Sequence, residues 1–125
     1  MERIISNNAP DAIGPYIHAT QSNNIIFTSG QIGLNPETNK LAESFEEQTK
    51  NALNNLSAVL KTAGSDFDHV LKTTIYLSDI GNFSKVNDIY KGYFNDSYPA
   101  RTAVEISKLP MDAMIEIEAI AEKAD

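Results

Sequence analysis

Alternation between apolar and polar residues is the clearest pattern in this chain, and it is sharpest near the C-terminus. Residues 114–121 read MIEIEAIA. In a β-strand successive side chains point to opposite faces, so the isoleucines would face a core while Glu116 and Glu118 stand together on the other face. The sequence HVLKTTIYLS, at 69–78, alternates in the same way. Weaker patterns bounded by turn residues predict further strands at 4–5, 16–21, 24–30 and 101–106.

Two segments change to helical spacing. Ser44 and Glu47 form an S-x-x-E capping box, and apolar residues then recur every three or four positions up to Gly64, which suits a helix C-cap. This pattern predicts a helix of about five turns. A second helix is predicted to start near Asn82, with an apolar stripe of Phe83, Val86, Tyr90, Tyr93 and Phe94. Asn87 lies inside that stripe, and since a buried amide needs partners, it either anchors a loop or reaches a pocket.

The order of these elements, β-β-β-α-β-α-β-β, predicts a single α+β domain over residues 1–125. Runs of strands mixed with two helices favour a mainly antiparallel, six-stranded sheet with both helices on one face. Such a sheet would carry a polar and aromatic set on its other face: Thr74, Tyr76, Arg101, Ala103, Glu105, Glu116 and Glu118. That face is too polar for a core. We therefore expect a ligand cleft there, with a partner subunit supplying its missing wall.

Charge and composition narrow the expected partners. The chain holds 17 acidic and 10 basic residues, and its net charge of −7 opposes nonspecific binding to nucleic acids and acidic membranes. No apolar stretch suits a membrane span, and we find no secretory signal pattern. The chain contains no cysteine, which excludes disulfides and thiolate chemistry. We expect a cytoplasmic protein whose partners are small molecules or other proteins.

Few residues offer catalytic or metal-binding chemistry. His18 and His69 lack the spacing of a metal site, so we expect no metal. Arg101 stands at the entrance of a predicted strand, where its guanidinium could hold a planar carboxylate with two parallel hydrogen bonds. It could equally form a salt bridge to Glu116 or Glu105. The glutamate pair of residues 114–121 could likewise be a solvated face rather than a functional one.

Five motifs follow one another along the chain from end to end. They are NAPDAIGPY at 8–16, FTSGQIGLNP at 27–36, AGSDFDHVLKTTIYLSD at 63–79, NFSKVNDIY at 82–90 and YPARTAVEISKLPMDAMIEIEAIA at 98–121. In this order and spacing they resemble the RidA (YjgF) family of reactive-intermediate imine deaminases. The resemblance implies a small α+β fold related in shape to chorismate mutase, assembled as a homotrimer with clefts between subunits. It also implies hydrolysis of 2-imino acids and their enamine tautomers, such as 2-aminoacrylate, to 2-oxo acids and ammonia without a cofactor.

The same resemblance implies roles for single residues. Arg101 matches the arginine that binds the substrate carboxylate, and Glu116 matches the catalytic glutamate, which would activate a water molecule. The other binding residues that it implies are Tyr16, Ser29, Gly30, Asn87 and Ala103. Tyr16 and Ser29 would contribute hydrogen-bond donors. A glutamate that faces an arginine should ionise readily, which suits a base, whereas Glu118 is expected to be structural or solvated.

Two other functions stay open beside the deaminase. One is a non-catalytic, small-ligand-binding regulatory protein of the same fold. The presence of both the arginine and the glutamate favours the enzyme over this function. The other is an endoribonuclease, against which the acidic charge weighs. The chain departs from the family pattern at Thr102 and Ala103, where many members have serine or cysteine, and at Met111 and Met114, where lysines are common. The methionines put the substrate preference in question.

Overall fold

Two helices pack on one face of a seven-stranded sheet in the computed structural model, which describes residues 1–125. The strands are β1 (Glu2–Ile4), β2 (Ala19–Ser22), β3 (Ile25–Thr28), β4 (Gln31–Ile32), β5 (Val70–Leu77), β6 (Ala100–Glu105) and β7 (Ile115–Glu122). The helices are α1 (Phe45–Thr62) and α2 (Phe83–Tyr90). Neither helix is both long and apolar enough to cross a membrane.

The sheet follows the order β1-β2-β3-β7-β5-β6, and β4 also pairs with β7. Every pairing is antiparallel except that of β5 with β6, which run parallel with α2 in the connection between them. The predicted α+β class, with a mainly antiparallel sheet and two helices on one face, is therefore confirmed. Six strands form the continuous path, and the two-residue strand β4 is the addition that the sequence pattern did not predict.

Helix α1 begins and ends where its sequence predicts. The Ser44 hydroxyl accepts a hydrogen bond from the Glu47 N–H at 3.1 Å, so the N-terminal cap forms. Gly64 follows the helix at φ +82°, a left-handed conformation in which a side chain would be strained. The 18 residues of the helix make about five turns.

The main core lies between the two helices and the sheet, and its burial of apolar surface is the chief stabilising contribution to the fold. Its fully buried members include Leu53, Leu56, Leu60, Ile75, Leu77, Val86, Phe94, Ile115 and Ile117. The alternation predicted for residues 114–121 is confirmed. Ile115, Ile117 and Ala119 are buried, while Glu116 and Glu118 are partly exposed on the opposite face.

A bulge separates β3 from β4. Both strands pair with β7. Between the last pair of β3 and the first pair of β4, this part of the chain advances by four residues, whereas β7 advances by only three. The extra residue falls in the segment that contains Ser29 and Gly30. Bulges of this kind redirect the chain beside functional sites. Here the bulge carries Ser29 and Gly30 up to the side chain of Glu116.

The prediction of a polar sheet face is wrong for the residues of β6. The register pairs Arg101 with Thr73 and Ala103 with Ile75, and residues paired in this way share a face of the sheet. Both partners are fully buried beneath the helices. Arg101 and Ala103 therefore lie on the helix side, opposite to Glu116. Alternation shows which residues of a strand share a face, but it does not show which face they share with the neighbouring strand.

The rest of that face is arranged as the pattern predicts. Tyr76 pairs with Glu116 and Thr74 pairs with Glu118, so these four residues stand together on the side of the sheet away from the helices. Glu105 lies on the helix side, and its carboxylate accepts a hydrogen bond from the Ile80 N–H at 2.9 Å. It is the third residue of β6 that the prediction placed on the wrong face.

Candidate functional site

The first candidate site is a pocket of about 480 Å³ around the carboxyl group of Glu116, which we call the glutamate pocket. Three parts of the chain meet there: the loop before β2, the bulge that leads into β4, and the turn before β7. Its lining includes Asp11, Ile13, Tyr16, Ser29, Gly30, Met111 and Glu116. The structure thus brings together four of the residues that the sequence analysis assigned to the site, namely Tyr16, Ser29, Gly30 and Glu116.

Glu116 is a half-buried carboxyl group that makes no salt bridge. Burial raises its pKa above the ordinary glutamate value, and the nearby charge of Glu118 raises it further. Its side chain lies against Gly30, where even a Cβ atom would come within 2.7 Å of the Glu116 carboxyl carbon. The prediction that an arginine beside this glutamate favours its ionised form is wrong within the chain, because Arg101 lies on the other face.

The two hydroxyl groups of the glutamate pocket differ in what they can offer a ligand. The Tyr16 hydroxyl accepts a hydrogen bond from the Ile13 N–H at 3.3 Å, which leaves its own proton free to donate. The Ser29 hydroxyl donates to the carbonyl oxygen of Ile17, so its proton is already engaged. Of these two hydroxyl groups Tyr16 is thus the one that can donate to a ligand, and Ser29 can accept a hydrogen bond through its remaining lone pair.

The second candidate site is a groove of about 360 Å³ on the helix side of the sheet, which we call the arginine groove. It is lined by Asn87, Tyr90, Lys91, Tyr98, Pro99 and Arg101. The Arg101 guanidinium lies 5.2 Å from the centre of the Phe83 ring and 5.0 Å from that of Tyr90. These distances suit cation–π contacts, which hold the guanidinium without using its hydrogen-bond donors. Arg101 makes no salt bridge, so the expected alternative of a pair with Glu116 or Glu105 does not occur.

Asn87 has an unusual environment within the arginine groove. Its side-chain oxygen is buried and has no hydrogen-bond partner. The amide therefore does not anchor a loop through this oxygen, and its other predicted position, in a pocket, is the one observed. A buried acceptor without a partner costs about 1–3 kcal/mol, a cost that a bound ligand could remove. Ala103, by contrast, packs against the core and lines neither the groove nor the glutamate pocket.

The histidines have separate structural surroundings. His18 is buried, where its Nδ1 accepts a hydrogen bond from the Ser6 N–H at 2.9 Å and its Nε2 lies 2.7 Å from the Pro10 carbonyl oxygen. It thereby ties the N-terminal loop to one side of the glutamate pocket. Sequence reasoning missed this role because the partners are backbone groups, which leave no pattern of side chains. The His69 Nδ1 lies 2.7 Å from the Asp66 carboxylate, and no group of three His, Asp or Glu side chains in the chain is placed to hold a metal ion.

Comparison with known proteins decides the family. The model of the family described as Endoribonuclease L-PSP matches residues 6–123. The chain belongs to the RidA family. It is 46% identical to the human 2-iminobutanoate/2-iminopropanoate deaminase, over 97% of this chain and 90% of that one. Among solved structures, the fold matches Escherichia coli TdcF with bound serine at a TM-score of 0.95 and 34% identity, over 99% of this chain and 100% of TdcF.

Members of the RidA family carry names of several kinds. AldR of Lactococcus lactis, which is 46% identical over 98% of both chains, is named as a regulator rather than as an enzyme. The family description itself refers to an endoribonuclease. Membership therefore establishes the fold and a family role in which deaminases are prominent, while the activity of this chain depends on its own residues.

Proposed function

We propose that this protein hydrolyses 2-imino acids, and their enamine tautomers such as 2-aminoacrylate, to 2-oxo acids and ammonia without a cofactor. The observation that carries the proposal is the unpaired Glu116 carboxyl group, with its raised pKa, inside a pocket that also offers the Tyr16 hydroxyl. The names of the human and mouse relatives support it, since both are 2-iminobutanoate/2-iminopropanoate deaminases. The cysteine-free, acidic chain suits a cytoplasmic site of action.

A homotrimer forms part of this proposal, because one subunit holds its two candidate groups apart. Arg101 lies on the helix side of the sheet and Glu116 on the opposite side. A carboxylate-binding arginine and a base must both contact one small substrate. Cyclic assembly of identical subunits solves this problem, because it can set the arginine groove of one subunit against the glutamate pocket of the next. Three complete sites would result, each with residues from two subunits.

In such a site Arg101 binds the substrate carboxylate through two parallel hydrogen bonds and fixes the imine carbon beside Glu116. Glu116 removes a proton from a water molecule while the water oxygen bonds to that carbon. The glutamate then gives the proton to the substrate nitrogen. The product of this addition is a carbinolamine. Glu116 next takes the proton of its hydroxyl group and passes it to the nitrogen, so that the carbon–oxygen double bond forms as the carbon–nitrogen bond breaks. Ammonia leaves and the 2-oxo acid remains. Tyr16 donates a hydrogen bond that stabilises the charge developing on the reacting atoms.

The pKa of Glu116 supports both of its steps. An acid–base group works best when its pKa lies near the working pH, and burial moves this carboxyl group upward from the ordinary value. The group accepts a proton more readily than an ordinary surface glutamate. It also releases that proton again to the leaving nitrogen.

The direct experiment uses a dehydratase that releases 2-aminoacrylate from serine, and follows the rate at which pyruvate forms. We expect the protein to accelerate this rate, and Glu116→Gln to lower the acceleration by about 10²–10⁴-fold. Glu118→Gln is the matched control, since that carboxylate accepts a hydrogen bond from Tyr76 at 3.1 Å and lines neither site. We expect it to lose less than about tenfold. A wild-type protein without effect on the rate overturns the proposal.

A ligand-binding regulator is the second candidate function, and the name of AldR is the observation that favours it. Both functions predict that the protein binds 2-oxo acids, which resemble the imines in shape and charge. Only the enzyme accelerates imine hydrolysis. Calorimetric binding of pyruvate together with an unchanged rate of pyruvate formation would therefore assign the protein to the regulators.

A further inference from the structure

His18 is a buried histidine that joins the two ends of a loop. It directly precedes β2, and its backbone carbonyl oxygen accepts a hydrogen bond from the Ser29 N–H at 2.9 Å. Its side chain is enclosed, since the residue is only 2% exposed. The ring Nε2 lies 2.7 Å from the carbonyl oxygen of Pro10, eight residues earlier. The ring therefore closes the base of the loop formed by residues 11–16, which we call the tyrosine loop because it carries Tyr16.

The two ring nitrogens of His18 have fixed and different roles. Nδ1 accepts a hydrogen bond from the Ser6 N–H at 2.9 Å, so the proton of the neutral ring lies on Nε2. Nε2–H then donates to the Pro10 carbonyl oxygen. With both nitrogens engaged by backbone groups, the ring has neither a lone pair nor a proton to offer a substrate. What it can do is hold these two pieces of backbone in place.

The tyrosine loop has no other hydrogen bond to fix its position. The hydrogen bonds that its own residues make are local: the Ile13 N–H donates to the Tyr16 hydroxyl, and the Tyr16 N–H donates to the Gly14 carbonyl oxygen. Gly14 has a φ of +126°, which glycine adopts readily and other residues rarely do. The loop thus folds on itself, and its placement relative to the sheet depends on the two ends that His18 joins.

We propose that His18 is a positioning residue for imine hydrolysis, which holds the tyrosine loop so that the Tyr16 hydroxyl meets the substrate beside Glu116. The inference rests on the proposed deaminase function. Pro10, Tyr16, His18 and Glu116 line one pocket, so a shift at the base of the loop moves the hydroxyl relative to the carboxyl group. A displacement of about 1 Å can cost a hundredfold in rate. Because Tyr16 stabilises charge that develops during the reaction, the loss should appear in kcat, with little change in KM.

Two substitutions separate the two hydrogen bonds of His18. The side-chain oxygen of asparagine can replace Nδ1, so His18→Asn keeps the acceptor for the Ser6 N–H but is too short to reach the Pro10 carbonyl oxygen. The amide nitrogen of glutamine can replace Nε2, so His18→Gln keeps the donor to Pro10. We expect kcat to fall about 10–100-fold in His18→Asn and less than about threefold in His18→Gln. His69→Asn is the matched control, because His69 lines neither candidate site, and it should leave kcat unchanged.

A double variant shows whether His18 acts through Tyr16. Activity is followed as pyruvate formation at graded amounts of a dehydratase, which set the concentration of 2-aminoacrylate. Tyr16→Phe removes the hydroxyl, so adding His18→Asn to it should cost no further activity. Losses that multiply overturn the inference, because His18 would then affect the site by another route. A fully active His18→Asn, an unfolded His18→Asn, or a folded His18→Gln that loses as much as His18→Asn overturns it as well.

A readout without turnover separates this inference from the function on which it rests. The Ile13 amide donates to the Tyr16 hydroxyl, so its hydrogen exchange, measured by NMR, reports how firmly the tyrosine loop is held. His18→Asn should speed exchange at this amide by at least about threefold and leave exchange at Leu56 in α1 unchanged. Unchanged exchange at Ile13 overturns the inference. Faster exchange in the variant, together with a wild type that does not accelerate pyruvate formation, overturns the deaminase and leaves His18 as the residue that holds Tyr16.

Discussion

Gly30→Ala is the substitution that should remove activity with the least damage to the fold. The new methyl group would stand 2.7 Å from the Glu116 carboxyl carbon and 2.9 Å from its Cγ, whereas ordinary contacts begin near 3.4 Å. The carboxyl group must therefore move by roughly 0.7 Å or more, and displacements of about 1 Å can cost a hundredfold in rate. We expect kcat/KM for imine hydrolysis to fall by about 10–100-fold. Thermal unfolding should change little, because a flexible side chain can give way.

Two other glycines make this prediction specific. At Gly33 a Cβ would stand 2.7 Å from the Gln48 Cβ and would also meet the backbone of α1, which cannot move aside. Gly33→Ala should therefore destabilise the protein by about 1–3 kcal/mol, as overpacking does. At Gly92 nothing lies within 4 Å, so Gly92→Ala should alter neither activity nor stability. Activity is measured as pyruvate formation from dehydratase-generated 2-aminoacrylate, and stability by thermal unfolding.

The reasoning about the Glu116 carboxyl group is refuted if Gly30→Ala remains fully active while it folds normally. The same holds if its activity falls only in proportion to a loss of folded protein, as expected for Gly33→Ala. A crystal structure of the variant would then show whether the carboxyl group moved at all.

Three further predictions concern the two candidate sites. Arg101→Lys keeps the charge but loses the planar two-point contact, so deaminase activity should fall by about a hundredfold while light scattering still reports a trimer; an active variant contradicts the assigned role. Asn87→Leu removes the buried oxygen that has no hydrogen-bond partner, so we expect the melting temperature to stay the same or rise while kcat/KM falls. A loss of stability would show that the amide is structural. Because Glu116 acts deprotonated, kcat/KM should fall as the pH drops through its raised pKa. Glu118→Gln removes a charge that raises this pKa, so the fall in kcat/KM at acid pH should move to lower pH. If this fall does not move, the assignment of Glu116 as the base is contradicted.

Local patterns in the sequence predicted the elements well, because each element carries its own signal. Helix α1 has a capping residue, an apolar stripe and a glycine after its end. The last strand alternates strictly, and its burial follows that alternation. Strand β4 escaped prediction because two residues after a bulge are too few to show a period.

The arrangement of the site was predictable only in part, since it depends on how distant strands pair. Alternation correctly grouped Arg101 with Ala103, but the parallel register of β6 against β5 placed both on the helix side. The resulting separation of Arg101 from Glu116 could not be read from either strand alone. Nor could the sequence indicate that the Asn87 oxygen is left without a partner, because that depends on every group packed around α2.

The central claim is that Arg101 of one subunit works with Glu116 of another, and mixed trimers test it most directly. Arg101→Ala and Glu116→Gln should each be nearly inactive alone. After the two are unfolded together in equal amounts and refolded, random assembly should complete about one site in four, since a complete site needs its glutamate from one variant and its arginine from the other. We predict about a quarter of wild-type activity in the mixture. A mixture as inactive as its parents, in trimers shown to contain both variants, would contradict the shared site.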